Sequence, residues 1–89
     1  MTNQLLENEK LGALTLEDLV FFVTLCEELS LSETAKRCSL SLSGASRTMK
    51  KLREVFDDKL FLRSMPDSIA TERALELYPL VSDIVERAE

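Results

Sequence analysis

Apolar residues recur at helical spacing along most of this 89-residue chain, and the interruptions fall at residues that cap helices. Thr15 followed by Asp18 has the form of a capping box and predicts a helix to about Leu29. Leu16, Leu19, Val20, Phe21, Phe22, Val23, Leu25, Cys26 and Leu29 cover most of its circumference, so it must be buried on more than one side. Ser32 is the predicted N-cap of a short second helix running to about Cys38. After Ser39 and Leu40, Ser41 is the predicted N-cap of a third helix ending near Phe56, in which Ala45, Met49, Leu52 and Phe56 are spaced as one buried face. Lys59 to Leu62 and Ile69 to Thr71 read as short strands around a turn at Ser64 to Ser68. Thr71 caps a last helix from about Glu72 to Glu89, where Pro79 removes one backbone hydrogen bond and predicts a bend or slight break. Residues 1–14 are polar and without clear periodicity, a flexible leader.

These elements predict a mainly α fold: a winged helix-turn-helix, with a three-helix core and a two-stranded β wing over residues 15–71, followed by a long linker or dimerisation helix over 72–89. Opposite the buried stripe of the third helix, Ser43, Arg47 and Lys50 project outward, with Ser46 and Lys51 flanking them. A helix that is short-polar at its start and cationic further along suits entry into a major groove by its first turns. Leu75, Tyr78, Val81 and Val85 belong to an apolar stripe over about half the circumference of the last helix, more than one small domain is expected to cover, which implies a partner surface.

The net charge of −5 runs against nucleic-acid binding, but its distribution does not. Between Ser32 and Arg63 stand Lys36, Arg37, Arg47, Lys50, Lys51, Arg53, Lys59 and Arg63 against only Glu33, Glu54, Asp57 and Asp58, so the acidic excess lies in the flanks. Cys26 and Cys38 occupy apolar positions, have no C-x-x-C spacing and find no His anywhere in the chain, so neither a metal site nor a cofactor is expected. No Gly-rich phosphate loop is present, and Asp57-Asp58 reads as a turn rather than a catalytic pair, so the chain is not expected to be an enzyme. Unpaired thiols, with no signal peptide and no membrane-length apolar run, point to the cytoplasm.

Phe21-Phe22-Val23, Ser30-Leu31-Ser32-Glu33-Thr34-Ala35, Ser41-Leu42-Ser43-Gly44-Ala45-Ser46-Arg47, Leu52 and Leu60-Phe61-Leu62-Arg63 stand in an order and spacing that give the chain a family likeness. From about Leu16 onward it resembles the N-terminal winged helix-turn-helix domain of the LysR-type transcriptional regulators. It departs from the family pattern at Leu42, where Gln is usual, at Arg53, where Glu is common, and over Ala70-Thr71-Glu72-Arg73-Ala74. The resemblance implies binding to a pseudo-palindromic operator in double-stranded DNA, by a homodimer whose linker helices pack antiparallel, with higher oligomers possible in a full-length protein. It also implies a small-molecule effector acting only through a C-terminal domain absent from these 89 residues, an expectation matched by a last helix that reaches Glu89 without a C-cap Gly or Asn. The expected DNA contacts are Ser32 and Ser41 to phosphates through the helix N-termini, Leu42, Ser43, Ser46, Arg47 and Lys50 to base edges or phosphates, and Arg63 from the wing. The alternative is a winged-helix protein-interaction or dimerisation module without a DNA target, which Leu42 and the acidic total favour.

Overall fold

The computed structural model describes residues 12–63 and 68–88. Its elements are α1 (Leu16–Glu28), α2 (Leu31–Arg37), α3 (Leu42–Phe56), β1 (Phe61–Arg63), β2 (Ser68–Ala70) and α4 (Glu72–Ala88). The leader up to residue 11 and most of the expected wing turn, residues 64–67, lie outside the described residues.

Each helix begins where a side-chain oxygen satisfies backbone donors that the first turn leaves unpaired. At α1 the capping box is complete: Asp18 N–H donates to Thr15 Oγ1 at 3.1 Å, and Thr15 N–H donates to Asp18 Oδ2 at 2.9 Å. The α1 helix closes at Leu29, which takes a left-handed backbone (φ 54°). That reversal brings Ser30, and not the expected Ser32, into the N-cap position of α2, where its hydroxyl accepts from Glu33 N–H at 3.3 Å. Ser32 sits instead in the first turn, its Oγ 3.3 Å from that of Ser30. Ser41 caps α3 as expected, accepting from Gly44 N–H at 3.0 Å. Thr71 caps α4 by accepting from Ala74 N–H at 3.2 Å.

The strands are displaced by about a residue from the sequence expectation, and pair antiparallel with Phe61 opposite Ala70, Leu62 opposite Ile69 and Arg63 opposite Ser68. Leu60, inside the expected first strand, has a left-handed backbone (φ 66°), and the strand starts at Phe61, two residues after the expected Lys59. The α4 helix runs uninterrupted through Pro79.

A single core gathers Phe21, Phe22 and Leu25 from α1, Ala45, Met49, Leu52, Val55 and Phe56 from α3, Leu60 and Phe61, and Ala74, Leu77, Val81 and Val85 from α4. The Phe22 ring sits between Phe56 and Phe61, with centroids 6.3 and 5.7 Å away. Burying such a ring contributes about 2 to 3 kcal/mol, so α1 is the post against which α3, the wing and α4 are set. This arrangement corrects the expected partner surface: Val81 and Val85 are buried in the chain's own core, at 0% and 8% exposure, because α4 lies along α1 and turns that side of its stripe inward. Tyr78 is half-buried and donates from its hydroxyl to Glu27 on α1 at 2.8 Å, which leaves Leu75, 63% exposed, as the solvent-facing member of the four.

Candidate nucleic-acid interface

The outward face of α3 follows from the burial of its other side. With Ala45, Met49, Leu52 and Phe56 fixed in the core, a rotation of about 100° per residue turns Ser43, Arg47 and Lys50 to solvent, and all three are exposed. Neither Arg47 nor Lys50 makes an ion pair among the described residues. Ser46 and Leu42 are also exposed, Leu42 at 61%, on the flank that faces the wing. Ser43 Oγ lies 3.2 Å from Ser41 Oγ, so the capping serine shares one hydrogen bond with the exposed serine two residues on. Between them and Arg47, Gly44 leaves a notch: a Cβ there would stand 3.2 Å from Ser41 Oγ and 3.8 Å from an Arg47 guanidinium nitrogen. The same rotation places Glu54 on the line of Arg47 and Lys50, about one turn beyond Lys50 and about two beyond Arg47, where its exposed carboxylate ends the cationic face.

Four other cations of the basic segment are engaged within the chain. Lys51, expected beside the reading face, donates to Asp18 Oδ2 at 2.7 Å and ties α3 to the capping box of α1. Burial disfavours the charged form of Asp18, but hydrogen bonds from Lys51 and Thr15 and the Lys51 charge outweigh it and hold the carboxyl below its ordinary value. Arg53 donates to the carbonyls of Lys59 and Phe61. Arg37 pairs with Glu28 and Lys36 with Glu33. Lys59 and Arg63 join Arg47 and Lys50 as cations without an ion pair among the described residues.

An open groove of about 610 Å³ separates α3 from the wing. Ser30 and Ser32 stand at one end of its lining, Leu42, Ser46 and Arg53 along α3, and Arg63 and Ser68 on the wing. The geometry thus brings Ser32, Leu42, Ser46 and Arg63 to one concavity and leaves Ser43, Arg47 and Lys50 on the adjoining convex face. Ser30 was missed by sequence reasoning although its signal was present, since Ser30 and Glu33 stand three apart in the pattern of a helix start. The turn below the groove is held by Asp58, whose Oδ2 accepts from Leu60 N–H and from the Thr71 hydroxyl, both at 2.8 Å. Those hydrogen bonds, Thr71 first, lower its pKa. Burial, and then the charge of Glu27, push the Cys26 thiol up to about 12, an unreactive side chain at neutral pH. Among the described residues no group of His, Cys, Asp and Glu side chains is placed to hold a metal ion, and no helix is long and apolar enough to cross a membrane.

Comparison with known proteins gives the same outline. The family model for the bacterial regulatory helix-turn-helix proteins of the lysR family matches residues 16–75. The HTH-type transcriptional regulator PhcA of Ralstonia nicotianae is 34% identical over 68 residues, which are 76% of this chain and 20% of PhcA. A probable transcriptional regulator from Pseudomonas aeruginosa, known from its crystal structure, superposes with a TM-score of 0.82 at 29% identity, over 89% of this chain and 26% of that one. The BenM DNA-binding domain, in its crystal structure with catB site 1 DNA, shares the fold with a TM-score of 0.77 at 21% identity, over 84% of each chain. The chain therefore spans about a fifth to a quarter of the length of the longer proteins it matches.

Proposed function

Given that this chain belongs to the lysR family of bacterial regulatory helix-turn-helix proteins, we propose that it binds double-stranded DNA sequence-specifically and so acts in transcriptional control. The observation that carries this reading is the unpaired cationic face of the first half of α3, Ser43 to Lys50, standing beside a groove that Arg63 also lines. Its role is recognition and not catalysis, exercised in the bacterial cytoplasm where the DNA is. Residues 15–71 form the DNA-binding domain and residues 72–89 the linker helix.

In this mechanism α3 enters the major groove by its first turns. Arg47 makes a bidentate contact to guanine, Ser43, Ser46 and Lys50 meet base edges or phosphates, and Leu42 meets a thymine methyl. The N-termini of α2 and α3, with Ser32 and Ser41, receive backbone phosphates through their free N–H groups, while Arg63 reaches a phosphate from the wing. Glu54 limits the approach to the first half of the helix, because a carboxylate facing phosphate is repelled. A homodimer on a pseudo-palindromic operator is supported by the family and by Leu75, now the principal exposed apolar residue of the expected contact. Response to a small molecule would belong to the remaining length of proteins such as PhcA, which this chain does not match.

The test is a titration of the chain against random and selected duplexes across a salt series. Preference for selected sites, with log K falling by roughly 0.9 per phosphate contacted for each unit of log salt, supports the reading. A competing reading, a protein-docking module, is favoured by Leu62 and Ile69, which face each other across the strands at 45% and 54% exposure. It would be preferred if no duplex binds even at low salt.

A further inference from the structure

Arg53 is a cation of the basic segment, and the charge pattern alone would assign it to DNA. Its Nε donates to the Lys59 carbonyl at 2.8 Å and a terminal nitrogen donates to the Phe61 carbonyl at 2.9 Å, so that one guanidinium bridges from α3 to the start of β1. We infer that Arg53 is a positioning residue: it fixes the wing against the recognition helix, and with it the separation between Arg63 and the Arg47 and Lys50 pair. The inference rests on the DNA-binding reading above and deepens it.

The backbone between the two bridged carbonyls explains why a fixing group is needed. Leu60 is fully buried and takes a left-handed backbone (φ 66°), a conformation that a branched residue keeps only when its surroundings over-determine it. Asp58 holds the Leu60 N–H, Thr71 N–H donates to the Leu60 carbonyl at 2.8 Å, and Arg53 holds the carbonyls on either side. The wing has little stiffness of its own, since its strands are three residues each and an isolated two-stranded hairpin is marginal. One strand is anchored from elsewhere, Ser68 N–H donating to the Leu29 carbonyl at 2.7 Å. The other is held at its start by the buried Phe61 ring and by Arg53, and Arg63 lies two residues beyond the bridged Phe61. A planar guanidinium presents donors from two nitrogens at fixed spacing, whereas a lysine ammonium radiates its three donors from one nitrogen and does not reproduce that fork. The two bonds use Nε and one terminal N–H, which fixes the guanidinium plane against the wing although three N–H donors of this exposed group remain.

The experiment measures affinity for a duplex selected by the parent chain, across a salt series, for Arg53→Lys, Arg53→Ala, Arg63→Ala and the two double variants, each checked for folding by circular dichroism. Positioning predicts that Arg53→Lys weakens binding about tenfold, as much as Arg53→Ala, although lysine keeps the charge. It also predicts that Arg53→Lys lowers the salt slope by about 0.9, the share of one phosphate lost at Arg63. Arg63→Ala should then cost about tenfold in the parent but less than about twofold in either Arg53 background. Should Arg53→Ala fail to fold, the Arg53→Lys cycle decides alone. Parent-like binding by Arg53→Lys, or additive losses in the double variants, overturns the inference while leaving DNA binding intact. Absence of any duplex preference in the parent overturns the DNA reading and the inference together.

Discussion

The two halves of α3 carry the same kinds of side chain to different ends. From Leu42 to Lys50 the cations Arg47 and Lys50 stand exposed and without an ion pair among the described residues. From Lys51 to Phe56 they are engaged by the chain itself, Lys51 by Asp18 and Arg53 by two carbonyls. The α4 helix divides its apolar residues in the same way, with Leu77 and Val81 wholly buried against Leu75 and Ile84, which are 63% and 36% exposed. A charged or apolar residue is available to a partner only when its own fold has not already used it. The first half of α3 thus presents charge that the fold leaves open, and the second half forms a frame that holds that face in place.

The largest effect expected from breaking this division comes from α4. Val81→Asp puts an unpaired charge into the core and should cost about 3 to 5 kcal/mol, unfolding the chain instead of yielding a folded monomer, whereas Leu75→Asp should stay within about 0.5 kcal/mol of the parent. Urea denaturation of both variants measures this. Equal stabilities would mean that α4 does not pack as described.

Next come the cations of α3. Arg47→Ala should leave the melting temperature unchanged and cost about 1 to 3 kcal/mol of discrimination at one base pair. Lys51→Ala should do the reverse, leaving base preference intact and removing about 1 to 2 kcal/mol of stability because Asp18 loses its main hydrogen-bond donor. Binding-site selection beside thermal melting for both variants would detect an exchange of these roles.

Leu42 gives a smaller and more local test. With Leu42 against a thymine methyl as proposed, replacing that thymine by deoxyuracil removes one methyl and should weaken binding about fourfold, the value of a single buried methyl, in the parent but not in Leu42→Ala. If a uracil scan of the selected site shows no sensitive position, Leu42 does not read a methyl.

The frame should also answer to acid more than the reading surface does. Asp18 and Asp58 both have lowered pKa values in the folded chain. The stability they confer is therefore complete above the unfolded-chain value of about 3.9 and is lost as the pH falls from there through their lowered folded values. Asp18→Asn and Asp58→Asn should each flatten that acid limb, as followed by denaturation at stepped pH, while Arg47→Ala leaves it unaltered.

Much of the architecture was legible along the chain because capping and periodicity are local. Thr15, Ser41 and Thr71 cap their helices as their spacing indicates, and the Ala45, Met49, Leu52 and Phe56 stripe is buried as its period requires. The outward turn of Ser43, Arg47 and Lys50 follows from that stripe by helical geometry alone. What the chain could not reveal depends on residues distant in sequence. Val81 and Val85 became core because α4 lies along α1, and Lys51 became a strut because Asp18, 33 positions away, faces it at 2.7 Å. Sequence determined which faces each helix possesses, since one turn of backbone suffices to define a face. Tertiary structure decided which of those faces remain open, since burial and ion pairing are settled only when another element arrives to cover them.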